Sequence, residues 1–230
     1  FSKIINKKAN KKYNRKEIKS IFPKPEIKNG DIIHKPMYFM HGATNSNVDA
    51  YQVAMDIFII VKTVMELDKV IKFGDVRILS NKVNGNIVYK KLEAIFRKNK
   101  YPCHLFETKN GNDDSITIDM NLIKEEKCSK CKKKFNNKSN KCKHCGALRH
   151  FNKIAMMSVH AYKGGEGKLI ITFGQSEKSV PSENSPGTPN ELRYLSLFGG
   201  VSISRSTKYF FIGSNQTPSR YITNNIDKLS

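Results

Sequence analysis

Apolar residues recur at spacings of three and four from Asn47 to Asp68, where Tyr51, Ala54, Met55, Phe58, Val61 and Met65 share one stripe. That spacing predicts an amphipathic helix, with Asn47 or Asp49 as its cap. Ile57, Ile59 and Ile60 widen the stripe, so the helix is expected to be covered on more than one side. Val76 to Leu79 reads as a short strand, Asn84-Gly85 as a turn, and Ile87 to Lys98 as a second helix with Val88, Leu92, Ile95 and Phe96 facing inward.

Beyond the second helix the apolar runs shorten. Tyr101 to Glu107 and Ser115 to Ile123 read as strands on either side of an Asn110-Gly111 turn. Ile154 to Tyr162 and Lys168 to Phe173 read as two more, joined as a hairpin by Gly164-Gly165-Glu166-Gly167. Gly174 to Pro189 is a long polar loop, and Tyr194 to Phe198, Val201 to Ser204 and Lys208 to Ile212 are short strands. The pattern predicts an α+β chain in three parts: a basic arm over 1–30, a mixed α/β region with two helices over 31–110, and a β domain over 111–230.

Specific chemistry is attached to one stretch of that β domain. Cys128-Ser-Lys-Cys131 and Cys142-Lys-His-Cys145 are two CxxC pairs separated by ten residues. Each pair aims two thiolates at one point, and a ten-residue hairpin brings the second pair round to complete a tetrahedron, the geometry that suits zinc. Four protein ligands leave no open position for water, so a structural zinc ion is expected. Disulfides fit less well, because a fifth cysteine, Cys103, is left over and no signal peptide is visible. A thioredoxin-like redox pair lacks its strand-CxxC-helix setting. His144 and His150 lie close enough to be alternative ligands, but four cysteines suffice, and a polar surface role is expected for both.

Charge then supplies a partner. The 230 residues carry 41 Lys and Arg against 20 Asp and Glu, a formal net charge of +21 that calls for a polyanion, nucleic acid first. AT-rich coding sequence explains why lysine outnumbers arginine, but not why basic residues outnumber acidic ones two to one. Lys132, Lys133 and Lys134, beside the second thiolate, are candidate phosphate contacts, and the run from Phe1 to Lys28 is a candidate tether along phosphates. No apolar run is long enough to cross a bilayer, so no membrane partner is expected and the reading is intracellular: nucleus, organelle or virus factory.

Enzyme motifs do not appear. There is no GxxxxGK[ST], HExxH or GxSxG, Gly164-Gly165-Glu166-Gly167 joins strands rather than opening a helix, and Asp113-Asp114 has no second carboxylate cluster. Cys103-His104 has no acidic partner and reads as packing.

The order strand, CxxC, hairpin, CxxC, then Ile154-Ala-Met-Met-Ser-Val159, a turn, and a strand ending at Phe173 before Gln175-Ser176-Glu177 resembles the C-terminal domain of the replication protein A large subunit. The resemblance covers 114–212. It implies an OB-like antiparallel β-barrel with the zinc ribbon inserted between its first two strands, and a basic groove in which aromatic side chains stack on bases. Under that resemblance Tyr162, Phe173 and Phe211, beside Lys153, Lys168, Arg205 and Lys208, are the candidate contacts to single-stranded DNA or RNA. Adjacent strand residues face opposite ways, so only one of Phe210 and Phe211 is expected in the core.

The sequence therefore leads to a non-enzymatic, zinc-stabilised nucleic-acid-binding protein, with single-strand binding in replication or repair as the first expectation. Two alternatives stand beside it: an organellar ribosomal or ribonucleoprotein component that binds RNA, and a viral or eukaryotic transcription factor with a zinc ribbon. In each, further subunits of a replication, transcription or ribosomal assembly are the expected protein partners.

Overall fold

The computed structural model describes residues 26–28, 31–33, 37–42, 47–107, 119–136, 139–162, 166–175 and 206–215. Its framework is a six-stranded sheet built from β3 (Met37–Met40), β4 (Val76–Ser80), β5 (Cys103–Leu105), β6 (Ile154–Ser158), β7 (Gly167–Thr172) and β8 (Ser206–Ser214). The order across the sheet is β3-β8-β7-β4-β6-β5, and every neighbouring pair is parallel. A separate antiparallel pair joins β1 (Glu26–Lys28) to β2 (Asp31–Ile33).

Two helices cover one face. In α1 (Asn47–Leu67) the buried positions Ala50, Val53, Ala54, Ile57, Phe58, Ile60, Val61 and Val64 follow the helical period. In α2 (Ile87–Lys98) the Asn86 side chain caps the first turn by accepting from the Val88 amide, and Val88, Leu92, Ile95 and Phe96 point inward. Both helices pack on Val76, Ile78, Ile154, Met156, Leu169, Ile171 and Phe211. The Tyr89 hydroxyl donates to the carbonyls of Ile78 and Met157, tying α2 to the β4–β6 pair.

The other face carries a second, smaller core. Leu79, Ala155, Met157, Ile170, Phe210 and Ile212 are covered there by Phe106, Ile123, Val159 and Tyr162. Successive residues of each central strand thus enter two different cores, which is why these strands read as unbroken apolar runs rather than alternating ones.

This architecture corrects the expected fold class. An antiparallel OB-like barrel does not form: β6 and β7, predicted as a hairpin, run parallel to one another on opposite sides of β4. Gly167 opens β7 rather than closing a turn, and a Cβ there would meet the Arg77 side chain at 2.9 Å. Phe210 and Phe211 are both buried, one in each core, because the sheet is covered on both faces. The Met120–Ile123 part of the predicted strand over 115–123 is a 3-10 turn. The arm over 1–25, the strands over 194–198 and 201–204, and most of the loop over 174–189 fall outside the described residues.

Candidate metal centre and its lysine surface

The connection from β5 to β6 holds the cysteines. It passes through the 3-10 turn at Met120–Ile123, whose Ile123 is buried against the sheet, and then leaves the sheet as a ribbon. The stem of the ribbon is the antiparallel bridge Lys124↔Phe151, with the Glu125 amide donating to the His150 carbonyl at 2.9 Å. The Arg149 guanidinium stacks over buried Phe135 at 5.5 Å and donates from Nε to the Glu125 carbonyl at 2.7 Å. Phe135, Cys128 and Cys142 form a small core of their own.

Two equivalent knuckles make the tip. In the first, the Lys132 amide donates to the Cys128 carbonyl at 2.9 Å and the Cys128 amide to the Lys133 carbonyl at 2.8 Å. In the second, Gly146 donates to Cys142 at 2.8 Å and Cys142 to Ala147 at 2.8 Å. The pattern repeats at the strand bridges, Lys127↔Lys134 and Lys141↔Leu148. Each knuckle closes on a residue of left-handed backbone, Lys132 at φ 61° and Gly146 at φ 72°. Glycine adopts that conformation freely, whereas an ordinary side chain there costs about 1 kcal/mol.

The four sulfurs of Cys128, Cys131, Cys142 and Cys145 all lie within 4.8 Å of one another, an arrangement that can hold one metal ion. Cys128 Sγ is 3.5 Å from Cys145 Sγ, and Cys131 Sγ is 3.5 Å from Cys142 Sγ. Backbone amides point at the sulfurs and favour their ionised forms. The amides of Cys131 and Lys130 draw the Cys128 thiol below its usual range, and those of His144 and Cys145 bring Cys142 down to about 6. The Ala147 amide acts on Cys145 in the same sense, but desolvation and hydrogen bonds to the other three sulfurs outweigh it and push Cys145 up to about 12. Four thiolates this close repel one another unless a cation stands among them. His144 and His150 are exposed and are not part of the cluster.

Lysines surround the clasp. Lys127, Lys130, Lys132, Lys133, Lys134, Lys141 and Lys143 are all exposed, and among the described residues none of them forms an ion pair. The remaining candidate contacts sit elsewhere. Lys153 pairs with Glu126 at 3.4 Å, Lys168 with Asp75 at 3.5 Å and Lys208 with Asp68 at 2.6 Å. Tyr162, Phe173 and Phe211 are buried in the two cores, where they offer no face to a base. Arg205 falls outside the described residues.

The C-terminal edge of the sheet is the usual place for a ligand in a parallel α/β fold. Here β4, β6, β7 and β8 end on the buried hydroxyl residues Ser80, Ser158, Thr172 and Ser214, with His41 and Gln175 beside them. Hydrogen bonds run within the edge: Gly174 donates to His41 Nε2 at 3.0 Å, Asn86 to Ser80 at 3.3 Å, and Gln175 to Asn81 at 3.3 Å. Sequence reading missed this edge because its residues are scattered singly along the chain and become neighbours only once the strands run parallel.

Cys103 and His104 lie on β5. Burial, with the Glu93 charge adding to it, pushes Cys103 up to about 11, and burial lowers His104. The pair is held as a thiol and a neutral imidazole, the opposite of an activated nucleophile.

No helix among the described residues is long and apolar enough to cross a membrane. A comparison with protein-family models finds no match, and no curated protein is detectably similar to the chain.

Proposed function

We propose that the chain is a non-enzymatic nucleic-acid-binding protein whose ribbon is held by zinc. The observation that carries this reading is the charge around the clasp. From Lys127 to Leu148 there are eight lysines and no Asp or Glu, so even after a zinc tetrathiolate contributes −2 the segment keeps 8 − 2 = +6. Zinc is chosen by the donor set: Zn–S bonds of about 2.3 Å in a tetrahedron put sulfurs about 3.8 Å apart, close to the spacings found here. The ion shapes the ribbon, and the ribbon presents the lysines.

Preference for single strands depended on a barrel groove lined with aromatic side chains, and it is not part of this proposal. Affinity here comes from phosphate neutralisation. The experiment is a titration of the purified, metal-analysed protein with single-stranded DNA, duplex DNA and structured RNA at two salt concentrations. Stoichiometric zinc and affinity that falls steeply with salt support the reading. Absence of zinc from freshly purified reduced protein, or no affinity for any of the three, contradicts it. A marked preference for structured RNA would point to the ribonucleoprotein alternative.

A further inference from the structure

We propose that Lys127, Lys132 and Lys134 form the phosphate-contacting site of the ribbon, and that it grips the backbone of duplexes and single strands alike. This rests on the nucleic-acid reading above and assigns residues to it.

The two knuckles differ at matched positions. They share hydrogen bonds and backbone conformation, yet the left-handed position is Gly146 in one and Lys132 in the other. Space does not force the difference, since a side chain on Gly146 would meet nothing within 4 Å. Lysine at 132 is held in a conformation that glycine adopts without strain, so the charge sits there at a cost to local stability. The strand bridges repeat the contrast. Lys141 faces Leu148 in the second knuckle, whereas Lys127 faces Lys134 in the first. Like charges directly opposite one another on antiparallel strands are destabilising. The first knuckle thus accepts two unfavourable arrangements that its twin lacks, and one kind of ligand relieves the second of them: a polyanion lying across Lys127 and Lys134.

Chemistry around the first knuckle narrows the ligand further. Its one aromatic, Phe135, is buried under Arg149, so no ring is free to stack on a base. Phe151, an exposed aromatic in the ribbon stem, lies beneath two cations, with Arg77 at 5.4 Å and Lys124 at 5.5 Å from its ring centre. The first knuckle itself offers ammonium groups and no exposed aromatic ring, which suits the phosphate backbone of any nucleic acid.

The test is Lys132→Gly in the metal-loaded full chain, with Lys134→Gln as a second variant that leaves the knuckle backbone unchanged. Lys132→Gly is expected to raise the melting temperature while weakening binding to duplex DNA roughly threefold to tenfold and reducing the slope of log K against log salt by about 0.9. Lys134→Gln should lower the slope by a similar amount without loss of stability. Duplex and single-stranded DNA of equal length should respond in parallel. A Lys132→Gly variant that binds with the wild-type slope overturns the assignment while leaving the nucleic-acid reading in place. Strong preference for single strands, with base-dependent affinity, also overturns it. Failure of the wild-type chain to bind any nucleic acid removes both.

Discussion

The carbonyl oxygen of Phe151 occupies the space in which a side chain on Gly74 would begin: a Cβ built on Gly74 would stand 2.0 Å from it. Phe151 is the last residue of the ribbon stem, and Gly74 lies in the 3-10 turn that leads into β4. Ribbon and sheet therefore meet backbone to backbone, with no room for a methyl group. Gly74→Ala is expected to destabilise the protein by about 3 kcal/mol, at the upper end for overpacking, because a backbone cannot swing aside as a side chain can. Urea denaturation of wild type and variant measures it, and a cost under 0.5 kcal/mol would mean the ribbon docks elsewhere.

Arg77 fastens the same junction from the sheet side. It is only 2% exposed, donates from one Nη to the carbonyls of Gly74 at 2.7 Å and Val76 at 2.9 Å, and places its guanidinium 5.4 Å from the Phe151 ring. Among the described residues its Nε has no acceptor, and burial lowers its pKa against the opposing pull of Tyr162 and Asp75. Arg77→Ala should cost about 3 to 5 kcal/mol, since it empties a filled volume and strips two buried carbonyls of their donor. Arg77→Met fills the volume without burying a charge and should recover much of that loss. Equal destabilisation by Ala and Met would show that the charge itself, rather than the packing, holds the junction.

Metal affinity should depend on pH in a defined direction. The Cys142 thiol, near 6, is mostly ionised at neutral pH, whereas Cys145, near 12, is not, so the incoming ion must displace at least one proton. Each proton displaced makes binding about tenfold tighter per pH unit. Competition with a chelating dye at pH 6, 7 and 8 should show affinity rising by at least tenfold per unit. A flat profile would mean that the sulfurs are not the ligands.

A different tie joins α1 to β8. Asp68 accepts from Lys208 Nζ at 2.6 Å, from the Tyr209 hydroxyl at 3.1 Å and from the Val70 amide at 3.1 Å. Burial alone would raise this carboxyl, but the three bonds outweigh it and hold the pKa below the ordinary value. A depressed carboxylate pKa contributes stability that is present above about pH 4 and is lost as pH falls through the folded value. Asp68→Ala should cost about 1 to 2 kcal/mol at pH 7 and less at about pH 3, where part of the carboxylate's advantage has been lost to protonation. Chemical denaturation at both pH values checks this, and a cost independent of pH would contradict it.

The helices were legible because their signal is local. Ile87–Lys98 forms as its period and its Asn86 cap indicate, and Asn47–Leu67 ends one residue before the predicted boundary. The four-cysteine cluster was legible for the same reason, since CxxC spacing encodes its own geometry. Strand pairing is not local. Gly164-Gly165-Glu166-Gly167 looked like a hairpin turn, yet β7 passes β4 and pairs on its far side. A clue did lie in Ile154-Ala-Met-Met and Leu169-Ile-Ile, whose apolar residues do not alternate, as expected of strands buried on both faces. β3 went unassigned although Met37-Tyr-Phe-Met40 is apolar, because four residues between polar segments carry too little periodicity to separate a strand from a turn. Exposure of Tyr162, Phe173 and Phe211 was expected only through the barrel, and all three are buried in a sheet covered on both faces.

If a metal-held ribbon presents the lysines that bind nucleic acid, duplex DNA binding across a salt series must change when the metal is chelated away. Chelation is expected to lower affinity at least tenfold and to flatten the salt slope by two or more units, as the contacts gathered at the first knuckle disperse. Re-addition of zinc should restore both. Binding with unchanged affinity and slope in the chelated protein would place the interface elsewhere in the chain and rule out the ribbon as the binding surface.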